Sequence, residues 1–379
     1  MRMKKLMILA VAAIALVACS KTFDMHHHGN EGTPIGFGTW TETLTKTHDP
    51  NGSVFAENDN FKVYGFKTLT SGSSNVFNGT TVTKGASDWT YAPLRYWDTN
   101  ASSYTFFAFA PATLTSPTAS ETSEVYNGTL SATAVFDGKT DVLVAAKKEV
   151  TDYTSAVDLY FYHIASLLDL KVRKADNLEL SGEDSNNYVK VAITGISLSQ
   201  IDATGTFTID SYAANTNKPG KSSGEIWAAD GSAAKATYTN ASGFTSVALD
   251  SGDALDIPTV TGGSYFTAID RLVVMPQSFR TAFASAATEG NTDQTVTISY
   301  DIIVAEGGVS NTSSHTVSFD LKEFDDTPDA ANTDTSYIGS WAPGTHYTYV
   351  ITIGANAITF TADIQSWDAS STGYHYLLN

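Results

Sequence analysis

Apolar and polar residues alternate along most of this chain. In "TPIGFGTW" (33–40), Ile35 and Phe37 are separated by glycines; in "NFKVYGFKT" (60–68), Phe61, Val63 and Gly65 alternate with Lys62, Tyr64 and Phe66. A period of two sends successive side chains to opposite faces of a strand. Other segments are more continuously apolar. "SSYTFFAFAPA" (102–112) is aromatic and ends at Pro111, and "TDVLVAAKK" (140–148) reads as a short buried strand. The pattern continues through "YVKVAITGISLS" (188–199), "ATGTFTID" (203–210), "YFTAIDRLVVMPQSF" (265–279), "QTVTISYDIIV" (294–304), "SHTVSFDLK" (314–322), "HYTYVITIG" (346–354) and "ITFTADIQSWD" (358–368). Gly, Asn, Asp and Ser separate these runs. Strands at this spacing predict an all-β chain of sandwich domains.

One segment changes phase. In "VDLYFYHIASLLDLKV" (157–172), Val157, Leu159 and Phe161 carry the apolar face on odd positions, whereas Leu168, Leu170 and Val172 carry it on even ones. A slip of one residue sends every side chain to the other face, so a bulge or short break is expected near Ala165-Ser166. The spacing of Tyr160, Ile164, Leu167 and Lys171 also fits a helix. The aromatic first half favours strand, break, strand.

The polar, acidic stretch "KADNLELSGEDSNN" (174–187) is the expected boundary between an N-terminal sandwich over 34–180 and a C-terminal one over 181–379. Two long loop-rich stretches, 211–243 and 323–340, fall in the second half. Loops of that length are functional or disordered. At 379 residues, with 42% hydrophobic positions, the chain is long enough for two cores. Its net charge of -18 excludes nucleic acid as a partner recognised through the field of the protein.

The N-terminus adds an address. Arg2, Lys4 and Lys5 precede an apolar run from Leu6 to Ala18. That run is of signal-peptide length, short of the roughly 20 residues a spanning helix needs. It ends in "LVAC", which resembles the bacterial lipobox. Cys19 is the only cysteine, so there is no disulfide framework, and its thiol is the expected lipidation site. Residues 1–18 are then a lipoprotein signal peptide and 19–33 a polar tether to the fold. Stable anchoring needs more than one acyl chain, which a triacylated terminus would supply. Ser20 in place of aspartate favours the outer membrane.

Candidate chemistry is sparse. His26, His27 and His28 sit in the tether and read as linker rather than metal site. His163, on the aromatic strand, reads as a histidine bonded to a backbone carbonyl rather than as a base. His315, His346 and His375 show no H-x-H or H-E-x-x-H spacing. There is no G-x-S-x-G elbow and no phosphate-binding glycine loop. The acidic loop at 323–335 reads as solvated rather than as a calcium site. Trp89, Trp97 and Trp227 lie near loops and could stack on sugars, although core packing is the commoner use. No cofactor, no metal and no enzymatic activity are expected.

Several segments in this order resemble the fimbrillin family, the type V pilins of Bacteroidetes: the lipobox, "IGF" (35–37), "FKVYGF" (61–66), "YTFFAFAPA" (104–112), "DVLVA" (141–145), "VDLYFYHIASLLDLKV" (157–172), "GTFTI" (205–209), "LVVMPQSF" (272–279), "PGTHYTYVITI" (343–353) and "ITFTADIQSWD" (358–368). The resemblance implies two tandem transthyretin-like β-sandwiches and a structural or accessory subunit of a surface fimbria. It also implies export as a lipoprotein to the outer membrane and removal of the first strand by a trypsin-like protease. A strand from another pilin subunit would then fill the opened groove by β-strand addition. The family often has arginine at the cleavage site. Here Lys46 is the only basic residue between Ile35 and Phe61, so processing would have to use it. Near the C-terminus, Tyr374, Tyr376 and Leu378 alternate either as a donor strand or as a last edge strand. The alternative role is a non-polymerising surface lipoprotein or tip adhesin that binds glycans or host protein through the loops at 211–243 and 323–340.

Overall fold

The computed structural model describes residues 32–41, 55–119, 130–208, 227–239, 257, 259, 263–279, 294–321, 339–355 and 358–366. Cys19, Lys46, Tyr374, Tyr376 and Leu378 lie outside these residues. The strands in chain order begin with β1 (Phe37–Thr41), β2 (Asn60–Leu69), β3 (Gly72–Lys84), β4 (Trp89–Thr90) and β5 (Ser103–Ala110). Next come β6 (Thr115–Ala119), β7 (Leu130–Val135), β8 (Leu143–Val150), β9 (Val157–His163) and β10 (Ser166–Lys174). A short 3-10 turn at Asp176–Leu178 leads to β11 (Tyr188–Ile201), β12 (Thr204–Thr208), β13 (Trp227–Ala229), β14 (Ala236–Thr239) and β15 (Phe266–Val274). The last are β16 (Thr295–Glu306), β17 (Val309–Asp320), β18 (Thr345–Ile353) and β19 (Ile358–Ser366).

These strands form four sheets. The first has the order β1-β9-β8-β5-β2-β3-β4, and its second layer is β13-β12-β7-β6. The other two sheets, β15-β10-β18-β19 and β14-β11-β16-β17, face each other as a second sandwich. The protein is all-β, as the alternation predicts.

The composition of β5 follows from its place. Tyr104, Phe106 and Ala108 point into one core, while Phe107 and Phe109 point into another. All five are fully buried. A strand covered on both faces needs apolar residues on both, and "FFAFA" (106–110) supplies them. One of these cores lies between the two layers, where Tyr64, Phe66 and Phe109 meet Ala132, Phe207 and Trp227. The other lies on the opposite face of the seven-stranded sheet, around Phe61, Phe77, Phe106, Leu159 and Phe161. A third core fills the second sandwich, with Leu170, Val191, Leu198, Leu272, Ile298, Trp341 and Ile351.

The phase change at 164–166 is a change of sheet. β9 pairs with β1 and β8, whereas β10 pairs antiparallel with β15 and parallel with β18. The break expected near Ala165-Ser166 is present, and its backbone groups are bonded. Ile164 N–H donates to Val142 O at 3.0 Å, and Ala165 O accepts from Gly344 N–H at 2.8 Å. The chain also crosses back, because β12 pairs with β7 and β13 pairs with β12. The 174–187 stretch links β10 to β11, both strands of the second sandwich.

Within that sandwich a bulge sets Asp169 of β10 against two residues of β15, since Leu168 pairs with Leu272 and Leu170 with Ile269. Asp169 Oδ1 accepts the Arg271 N–H at 2.8 Å, which supplies a partner at the irregularity.

Candidate functional site: the first strand and its groove

Among the described residues, β1 is an edge strand with a single strand partner. It runs parallel to β9, with Phe37 opposite Val157 and Thr41 opposite Phe161. Parallel pairing is slightly weaker per residue than antiparallel pairing. The strand is held largely by side chains that enter the core. Ile35 and Phe37 are almost fully buried. The Phe37 ring lies 5.4 Å from Phe77, 5.7 Å from Tyr91 and 6.0 Å from both Phe61 and Phe106, in edge-to-face contacts. Burial of two such side chains contributes about 1.5–3 kcal/mol each.

Gly65 of β2 makes this arrangement possible. A Cβ at that position would lie 2.8 Å from the Phe77 ring and 3.0 Å from Phe106. Two of the rings that meet Phe37 therefore occupy the volume a side chain would take.

The far edge of the same sheet reaches round to β1. Trp89 Nε1 of β4 donates to Thr39 Oγ1 at 3.1 Å. The Tyr91 hydroxyl donates to Ile35 O at 2.7 Å, Ile35 N–H donates to Arg95 O at 2.9 Å, and Trp97 N–H donates to Thr33 O at 3.0 Å. The seven-stranded sheet thus rolls until its two edges share one core, and β1 with the residues before it closes the roll. Without β1, the rings of Phe61, Phe77 and Phe106 would line an apolar groove.

Three histidines lie among the described residues, and each packs against a named side chain. His163 is buried, and its Nδ1 lies 2.7 Å from Asp141 Oδ2, so its partner is a carboxylate and not the backbone carbonyl expected. His346 is buried with Nε2 3.1 Å from Asp169 Oδ2. Burial raises the Asp169 carboxyl, but the contact with His346 and the Arg271 N–H outweigh it and hold the group below the usual carboxylate range. His315 is exposed and stacks on Tyr300 at 5.2 Å. Among the described residues, no three His, Cys, Asp or Glu side chains come together as a metal site.

Trp97 and Trp227 are also packed. Trp227 is 4% exposed, donates Nε1–H to Ile164 O at 2.6 Å and meets Phe136 and Phe207 at 5.2 Å. Trp97 is buried against Tyr104 and Tyr153. Neither offers a face to a sugar. Trp227, read as a loop residue, is a core residue because β13 pairs with β12, opposite Phe207, and the face they share packs against the seven-stranded sheet. The role of Trp89 and Tyr91 in holding β1 has no sequence signal, since their partners lie 50 and 56 residues away.

These residues form a two-sandwich β architecture whose first strand packs its side chains into an aromatic core. The chain belongs to the fimbrillin-like family, whose family model matches residues 45–367. Among curated proteins it is similar to the fimbrium subunit Fim1C of Phocaeicola vulgatus, at 22% identity over 410 residues and 97% of each chain. Among solved structures it resembles a fimbrial protein from Bacteroides vulgatus, with 19% identity and a TM-score of 0.59 over 88% of this chain and 99% of that one.

Proposed function

We propose that this protein is a structural or accessory subunit of a cell-surface fimbria, assembled by strand exchange and contributing to adhesion rather than catalysis. The observation that carries the reading is β1, an edge strand in parallel pairing that fills an aromatic groove and closes the roll. Family membership and the similarity to a fimbrium subunit support it. In this reading Cys19 is acylated and holds the precursor at the outer membrane. A trypsin-like protease cuts after Lys46 and releases β1. A neighbouring subunit then supplies the replacement, and the alternation of Tyr374, Tyr376 and Leu378 suits such a donor. The two sandwiches act as two domains. The proposed domains follow 34–180 and 181–379 except that β10 goes with the second and β12 and β13 with the first, an assignment the sheet order supports.

The test is trypsin treatment of the purified precursor, followed by mass spectrometry of its N-terminus and sizing of the product. The expected result is a chain that begins at Thr47, loses β1 and forms multimers. A product that begins at Thr47 and stays monomeric at high concentration would overturn assembly by strand exchange.

A further inference from the structure

The first sandwich carries a second built feature, on β3. Gly65 pairs with Phe77 and Phe66 with Asn75, so Val76 is an extra residue; Val63 pairs with Thr80 and Tyr64 with Asn78, so Gly79 is another. Gly79 has φ +71, and a Cβ there would lie 2.6 Å from the Tyr64 hydroxyl. Glycine is what permits this second bulge. Bulges re-aim their neighbours and collect beside functional sites. Asn75 and Asn78 each stand next to a bulge, and both line one open cleft of about 340 Å³. Lys67, Arg95, Tyr96 and Tyr104 complete most of its wall. The volume lies within the roughly 300–1,000 Å³ of small-ligand sites.

The lining is polar, and its charges are not equivalent. Lys67 Nζ lies 2.6 Å from Asp98 Oδ2, and this hydrogen bond is the main cause that holds the Asp98 carboxyl below its ordinary value. The lysine charge is therefore already matched. Arg95 is exposed and has no carboxylate partner among the described residues. Its backbone is fixed, because its carbonyl accepts the Ile35 N–H and its own N–H meets the Tyr91 hydroxyl at 3.3 Å. The cleft thus keeps one unmatched cation in a chain of net charge -18. One cation among neutral amides and hydroxyls suits a ligand with one negative charge and many hydroxyl groups. It suits a phosphate poorly, since that ion takes clustered cations or a backbone nest.

We infer that this cleft binds a carboxylate-bearing saccharide. Arg95 takes the carboxylate with its planar, two-pronged guanidinium. Asn75 and Asn78 hydrogen-bond the ring hydroxyls, each amide offering both donors and an acceptor. The site lies beside the β1 groove, and Ile35, just before β1, helps to hold the Arg95 backbone.

The test is calorimetric titration of the chain with β1 in place, since Ile35 helps to hold Arg95. The probes are trigalacturonic acid and sialyl-lactose, with lactose and sodium acetate as the neutral and non-sugar counterparts. At least one acidic saccharide is expected to bind, with lactose and acetate at least tenfold weaker. Arg95→Ala and Asn78→Ala should each lower its affinity about tenfold or more, while Lys139→Ala, at an exposed lysine elsewhere, leaves it unchanged. Arg95→Ala removes an exposed side chain, and an unaltered unfolding transition verifies its fold. Lack of binding by both acidic probes, equal binding of lactose, acetate binding as tight as the sugar, or binding that survives Arg95→Ala would each overturn the inference.

Discussion

Trp89 donates its indole N–H to the Thr39 hydroxyl at 3.1 Å across 50 residues of sequence. β4 and β1 are the two ends of the seven-strand order, so this bond joins the sheet's edges. Thr39→Val keeps the shape of the side chain and removes the acceptor. The expected loss is about 0.5–1.5 kcal/mol, concentrated on β1. Hydrogen exchange at Phe37–Thr41 should quicken while exchange at β11 and β16 stays as it was.

Phe37→Ala empties the centre of the aromatic contacts that β1 makes. Large-to-small changes of this kind cost about 3–5 kcal/mol in a core, and an edge strand falls at the lower end. Urea unfolding of the chain with β1 present measures the loss. In a chain that starts at Thr47 the position is gone. That chain is expected to bind an apolar dye, and to lose the dye when a peptide of residues 33–41 is added.

Gly65→Ala places a methyl group against Phe77 and Phe106. Both rings are fully buried and cannot retreat into solvent. Overpacking of this kind costs about 1–3 kcal/mol. The thermal midpoint of the first sandwich should fall, and β1 should exchange faster because two rings under Phe37 have moved.

Trp227→Phe retains an aromatic ring between Phe136 and Phe207 but removes the donor to Ile164 O. A buried carbonyl left without a partner costs about 1–3 kcal/mol. Denaturant unfolding should show this loss, and titration with acidic saccharide should show none, because Trp227 lies away from that cleft.

Asp169 sets a pH dependence. Its folded-state carboxyl is held below the ordinary value, so the unfolded chain takes up the proton first as pH falls. The stability contributed by Asp169 is fully present above about pH 4, the unfolded value, and is lost as pH drops through the folded one. Asp169→Asn should flatten the acid limb of the stability curve below about pH 4. An unchanged limb would mean that another carboxylate sets it.

Most strands were legible because a half-buried strand imposes a period of two on its residues. The doubly covered β5 was legible too, since "FFAFA" (106–110) leaves no position for a polar face. The break in 157–172 could be read from the shift of apolar residues from odd to even positions. Its meaning could not, because a bulge and a change of sheet give the same shift. The partner of His163 was likewise hidden, since Asp141 lies 22 residues away in the connection before β8.

The sequence by itself determined most of the longer strands, their buried faces and the all-β class, for these depend on local alternation; it missed β3 and β7, and read the stretch holding β13 and β14 as loop. Only the tertiary structure decided that β10 joins the second sandwich, that β12 and β13 return to the first, and that Trp227 is core. It alone decided that Trp89 and Tyr91 close the roll over β1. The physical reason is that a strand carries the same period of two in whichever sheet it pairs. The choice of partner rests on contacts between residues far apart in the chain, and no local pattern records them.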